Sequence, residues 1–311
     1  MARNSKQLGT GGHLSLSYII YYFASLLICA IMIQGFYKLG ILLGNGELVE
    51  TTQKIVMREQ FRSMLKSDDC FNPLSFPVLG DYKNWNIINN MTAPKIINVG
   101  FPKCGSTTLN DFLSKGIPRG KQLSTIGYNV SHFWPCNKQR GHGECGSCMR
   151  NATEEGVPPL ASCGNFAAYT QVDSVSKSEC QFPQISYLHE IYNEEPSAIF
   201  LLPFRNVYDW IRSVSKWNTM RTRITTSCHF PEYNFTKEMG SKDEELKDLY
   251  CKHVKHIRKF VFEHPTITLI EYSIGAEGVG DYLANLLPHM RLNGSMYGHK
   301  NINMKIKRNI S

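Results

Sequence analysis

Three consecutive hydroxyl residues follow a lysine and a glycine in the stretch Asn98–Leu109, NVGFPKCGSTTL. Hydroxyl donors and backbone N–H groups at the start of a helix, with an ammonium beside them, make a receptor for a phosphoryl or sulfuryl group. Lys103 supplies the full charge and Gly105 the turn. The amides of Cys104, Gly105, Ser106, Thr107 and Thr108 supply the cradle, and the last three residues add side-chain donors. Gly100 and Gly105 have the spacing of a GxxxxGK[ST] nucleotide loop, but Ser106 stands where that loop has its lysine. A second cationic motif begins 102 residues after Lys103, where Arg205 closes the apolar run SAIFLLPF and Ser213 follows eight residues on.

Strand–turn–helix units must position these groups. KIINVGF (95–101) is a short apolar run suited to a buried parallel strand, and TLNDFLSKG after it has helical character. SAIFLLPF (197–204) followed by VYDWIRSVSKW, and TITLIEY (266–272) before DYLANLL, repeat the pattern. Alternating strands and helices predict an α/β domain with a central parallel sheet.

The paired motifs resemble those of sulfotransferases, which use 3′-phosphoadenosine-5′-phosphosulfate (PAPS) as sulfuryl donor. PKCGSTTL is similar to that family's 5′-phosphosulfate loop, and Arg205 with Ser213 in FLLPFRNVYDWIRSVSKW is similar to its grip on the 3′-phosphate. The likeness spans roughly residues 95–311, and the membrane-anchored Golgi members share the layout described below. It implies a P-loop-like fold, with Lys103 on the bridging oxygen of the leaving 3′,5′-diphosphoadenosine and the 104–108 loop on the 5′-phosphate. It implies no metal, and a general base of the His or Glu/Asp type. His132, in NVSHFWPC, is the candidate at the end of the next strand, with Asp173 (in YTQVD) and Glu190 as alternatives. Lys300, in GHKNINMKIKR, matches either the family's late Gly/Lys loop on the nucleotide or a solvated basic tail. Cys104, Pro203 and Val207 depart from the usual motif residues.

Upstream, Leu14–Tyr37 carries no full charge; about 24 residues at ~1.5 Å each span roughly 36 Å, enough to cross a ~30 Å hydrocarbon core. Arg3 and Lys6 precede the run, so the N-terminus is expected in the cytosol and the remainder in the lumen. The length and bulky residues favour a retained signal anchor over a cleaved signal peptide. The expected layout is a tail at 1–13, an anchor at 14–43, a stem at 44–93 and a lumenal domain at 94–311. Sequons at Asn90, Asn129, Asn151, Asn234, Asn293 and Asn309 agree with the lumen.

Of ten cysteines, Cys29 falls in the apolar run and Cys104 in the anion loop; the other eight allow up to four disulfides. Cys136, Cys145, Cys148 and Cys163 also have spacing that suits zinc, though a lumenal setting favours cross-links. The flanks of CGSC (145–148) do not give the apolar strand of a thioredoxin-like site. The segment is expected to form a stapled loop shaping the acceptor cleft.

In composition the 311 residues are globular: 42% hydrophobic and 19% charged, which excludes disorder, collagen and coiled coil. A mean hydropathy of -0.26 excludes a polytopic membrane protein. The net charge of +8 favours anionic partners. The expected function is sulfuryl transfer to a hydroxyl, foremost of a glycan, with no nucleic-acid partner. The rivals are a lumenal P-loop kinase, against which the missing GK[ST] counts, and an inactive glycan-binding module of the same fold.

Overall fold

The computed structural model describes residues 93–116, 130–132, 136 and 144–298, together with short pieces between 59 and 80. The expected anchor, Lys300, Cys29 and the sequons at Asn90, Asn129 and Asn309 lie outside the described residues. Among the described residues no helix is long and apolar enough to cross a membrane.

Three apolar segments become the centre of a parallel sheet: β1 (Ile96–Asn98), β6 (Ile199–Phe204) and β7 (Thr268–Ser273). Every residue of β1 and β6 is buried, as required when helices cover both faces of a parallel sheet. Two-residue strands β2 (Val130–Ser131) and β3 (Ala168–Tyr169) extend the sheet, giving the order β2-β3-β1-β6-β7 with every pairing parallel. A separate antiparallel pair joins β4 (Ser174–Val175) to β5 (Cys180–Gln181). The protein is therefore an α/β fold with a five-stranded parallel sheet flanked by helices.

The helices relevant to the site are α1 (Ser106–Lys115), α2 (Cys145–Glu154), α3 (Pro159–Ser162), α4 (Pro183–Ser186), α5 (Leu188–Glu194), α6 (Val207–Lys216), α7 (Met220–Ser227) and α8 (Asp243–Glu263). α9 (Val279–Leu286) follows β7. Because β1 leads through α1 toward β2 on one side while β6 leads to β7 on the other, the chain changes direction between β1 and β6. In open α/β sheets that is where a crevice opens beyond the strand C-termini.

The eight remaining cysteines form four disulfides: Cys70–Cys251, Cys136–Cys145, Cys148–Cys163 and Cys180–Cys228. Cross-linking on this scale fits an oxidising, secretory-type compartment. The cysteines with zinc-like spacing are thus spent on one another in pairs. CGSC does open a helix, α2, yet Cys145 and Cys148 take different partners and do not pair with each other.

The described residues between 61 and 80, within the expected stem, belong to the folded unit that starts at Phe61. Phe61, Cys70 and Leu74 are buried in its core. Val78 and Leu269 exchange two backbone hydrogen bonds (2.9 and 2.8 Å), covering the outer edge of β7. The buried pair Arg258–Glu271 reinforces this junction. Arg258 Nη1 and Nη2 donate to the carbonyls of Asp69 (2.6 Å) and Asn72 (2.9 Å), and Glu271 accepts from the Leu74 amide (2.8 Å).

Candidate functional site

The loop after β1 is built by its neighbours. Asn98 Nδ2 donates to the Thr170 carbonyl (2.7 Å), while its Oδ1 accepts from the Gly100 amide (2.9 Å), fixing the exit of the strand. A Cβ on Gly100 would sit 2.7 Å from the ring of Pro203, so the glycine at 100 and the proline in β6 are complementary. Pro203 thereby acquires a packing role. Lys103 (φ 70°) and Gly105 (φ 84°) both adopt left-handed backbone. Gly105 is the N-cap of α1 and offers no side chain, so Ser106, Thr107 and Thr108 form the first turn with no acidic residue among them. A helix N-terminus left in this state concentrates partial positive charge.

Arg205 arrives from the end of β6 and its Nη1 donates to the Lys103 carbonyl at 2.9 Å. The two cationic loops, 102 residues apart, therefore meet in the crevice between β1 and β6. Tyr250 of α8 braces Arg205, its Oη 3.3 Å from the Arg205 amide and 3.4 Å from its carbonyl. Trp210 Nε1 donates to the Pro102 carbonyl (2.9 Å), and the Lys103 ammonium lies 3.5 Å from the centroid of the Trp217 ring. Residues 210 and 213 share one face of α6, and Trp217, just past its end, donates its amide to the Ser213 carbonyl (3.1 Å). Ser213 is 9% exposed.

His132 follows β2 and reaches the same loop: its Nε2 lies 3.3 Å from Ser106 Oγ and 3.4 Å from Thr107 Oγ1. Ser106 Oγ also donates to Gln171 Oε1 (2.9 Å), and Gln171 Nε2 donates to Asp173 Oδ2 (3.1 Å). Asp173 is 3% exposed. Glu190 sits apart on α5, where its charge acts on Tyr187.

Electrostatics follow from this packing. Burial, then the charge of Arg205, lowers the Lys103 ammonium to about 8, with Asp173 opposing. Burial keeps His132 below the ordinary imidazole value, so it is neutral at pH 7. Burial raises Asp173 to about 7, against hydrogen bonds from Gln171 and Gln184. Cys104, free and buried, is pushed up to about 12 and stays a thiol. A cavity of about 170 Å³ borders this site: its wall includes Ile274, whose Cγ2 would lie 3.2 Å from a Cβ on Gly105, as well as Gly278, Val279 and Tyr297.

The structure thus brings Lys103, Cys104, Gly105, Ser106, Thr107, Thr108, His132, Asp173 and Arg205 together, sets Ser213 three residues beyond Trp210 on α6, and leaves Glu190 outside. Sequence reasoning missed Gln171, Tyr250 and the tryptophans. Trp210 and Trp217 lie inside the Arg205–Ser213 motif string, and their spacing of three and four residues from Ser213 was the available signal. Gln171 and Tyr250 carry no local signal. Among the described residues there is no cluster of three or more His, Cys, Asp or Glu able to hold a metal ion. No protein-family model, curated protein or solved structure matches this chain.

Proposed function

We propose that this chain is a PAPS-dependent sulfotransferase with a P-loop-like donor site, held in a Golgi-type membrane by residues 14–43. The observation that supports the reading is the 2.9 Å hydrogen bond from Arg205 to the carbonyl of Lys103, which joins the two cationic loops expected to grip the two ends of a diphosphorylated adenosine. Residues 104–108 and Lys103 hold the 5′-phosphosulfate; Arg205 and Ser213 hold the 3′-phosphate.

Sulfuryl transfer needs in-line approach and neutralisation of the leaving oxygen more than covalent help. The acceptor oxygen forms a bond to sulfur as the bond from sulfur to the 5′-phosphate oxygen breaks. The acceptor proton passes to Nε2 of His132, neutral before the step, and the charge left on the phosphate falls on Lys103 and the α1 amides. Asp173 acts through Gln171 on Ser106 and through its field on Lys103.

Thermal melts of the full-length protein in detergent test the reading, with 3′,5′-diphosphoadenosine, ATP and heparin added separately. Stabilisation by the diphosphoadenosine is expected. A shift with ATP alone would make the protein a kinase, and a shift with heparin alone would make it a glycan-binding module.

A further inference from the structure

We infer that Asn234 and Asn293 each carry an N-linked oligosaccharide in the folded protein, while Asn151, whose sequon obeys the same sequence rule, carries none. The inference needs only the oxidising secretory compartment that the disulfides indicate, and it stands apart from the sulfotransferase reading.

The chemistry asks for more than the string Asn-X-Ser/Thr. In the transfer, the asparagine Nδ2 bonds to C1 of the first sugar as the bond from that carbon to an oxygen of a polyprenyl diphosphate breaks. The diphosphate leaves with the bonding electrons, and the amide proton passes to a base of the transferring enzyme. The product is a bulky hydrophilic branch, so the asparagine must face solvent in the finished fold. The hydroxyl two residues on must be offered on the same side of the chain as the amide.

Asn234 meets both demands at the tip of a tight turn. Phe230 and Phe235, each 2% exposed, exchange two backbone hydrogen bonds (2.8 and 3.1 Å) and anchor the turn Pro231–Tyr233. Asn234 closes it at φ 50°, a left-handed conformation in which asparagine is enriched. Phe235 points inward, while Asn234 and Thr236 on either side of it are exposed.

Asn293 repeats the arrangement before the short turn Gly294–Met296. Its Oδ1 accepts from the amide (3.1 Å) and from the hydroxyl (2.8 Å) of Ser295, so the side-chain amide and the hydroxyl lie side by side. Both residues are exposed, and Gly294 between them takes the inward position against Asp281.

Asn151 differs in every respect. It lies within α2, where residues two apart point about 200° away from each other around the axis. Arg150 Nε and Nη2 donate to its Oδ1 (3.0 and 2.7 Å), and Arg150 is itself paired with Glu179. Ala152 is 2% exposed and the Thr153 hydroxyl oxygen is buried. The Cys136–Cys145 and Cys148–Cys163 disulfides pin the same helix, so a branch at this place has no way out of the closed fold.

Site-resolved peptide mapping tests the inference on full-length protein from a eukaryotic secretory cell line, purified in detergent. Digestion with an N-glycosidase in heavy-oxygen water turns each glycosylated asparagine into a labelled aspartate. Label is expected at Asn234 and Asn293 and none at Asn151. Asn234→Gln and Asn293→Gln should each remove one glycosidase-sensitive step in gel mobility, and Asn151→Gln should remove none. Label at Asn151, or its absence from Asn234 or Asn293, would overturn the inference. Either result leaves the diphosphoadenosine thermal shift, and with it the sulfotransferase reading, to be decided separately.

Discussion

Two titrations at the centre of the site act in opposite senses. His132 must be neutral to accept a proton and Lys103 must be charged to receive the leaving oxygen, so kcat/KM should be bell-shaped in pH. The acid limb lies below the ordinary imidazole value, and the alkaline limb lies near 8. Lys103→Ala should abolish transfer with the fold intact. Lys103→Arg, whose cation does not titrate, should carry any residual activity past the alkaline limb. Steady-state rates between pH 5 and 10 check both. Asp173 supplies a stability counterpart: its carboxyl is raised to about 7 in the fold, so the native state binds the extra proton and stability declines as pH rises from about 4 to 7. Asp173→Asn should flatten that decline and be more stable than wild type at pH 8, by up to a few kcal/mol, in thermal melts across that range. Lys103, Arg205, Ser213 and the hydroxyl run were legible because their types announce their chemistry. Gln171 and Tyr250 were not, since an amide and a phenol matter here only through atoms brought from elsewhere in the chain.

At the scale of elements, the anion loop is a product of shape as well as charge. Gly105→Ala would place a Cβ on a left-handed residue and 3.2 Å from Ile274, which should cost about 1–2 kcal/mol and weaken diphosphoadenosine binding. Calorimetric titration of the variant measures the second effect, and thermal melting the first. Arg205→Ala removes both a charge and the brace on the Lys103 carbonyl, so it should weaken binding by more than one contact is worth, on the order of a hundredfold. The three long apolar runs were readable as strands because buried parallel strands have no polar face. The strand expected to end at His132 is present as β2, but its two-residue length and its parallel pairing with β3 are decided by the neighbouring backbone. α8 carries a clear helical repeat in Leu246, Leu249, Tyr250, Val254, Ile257 and Val261, but it lies outside the two anion-binding motifs, so its tyrosine did not stand out.

At the scale of the molecule, the four disulfides among the described residues cross-link helices and loops around the sheet, and the buried Arg258–Glu271 pair ties the segment around residues 69–74 to β7. Glu271→Gln should destabilise by about 3–5 kcal/mol, because it strands the Arg258 guanidinium at 3% exposure. Denaturant unfolding of the oxidised protein checks the value. The hydrogen bonds from Arg258 to the carbonyls of Asp69 and Asn72 and the 70–251 cross-link join residues almost two hundred positions apart, and no local pattern could have foretold which cysteines would meet.

That clasp has a mechanical consequence. A pull on the chain upstream of residue 70 passes covalently into the middle of the 21-residue helix through Cys251, before it can reach the hydrogen bonds at Val78. Those bonds are loaded one at a time only after the Cys70–Cys251 disulfide is reduced. A reductant would thus convert a tether that resists by shear into one that peels like tape from the rim of the sheet.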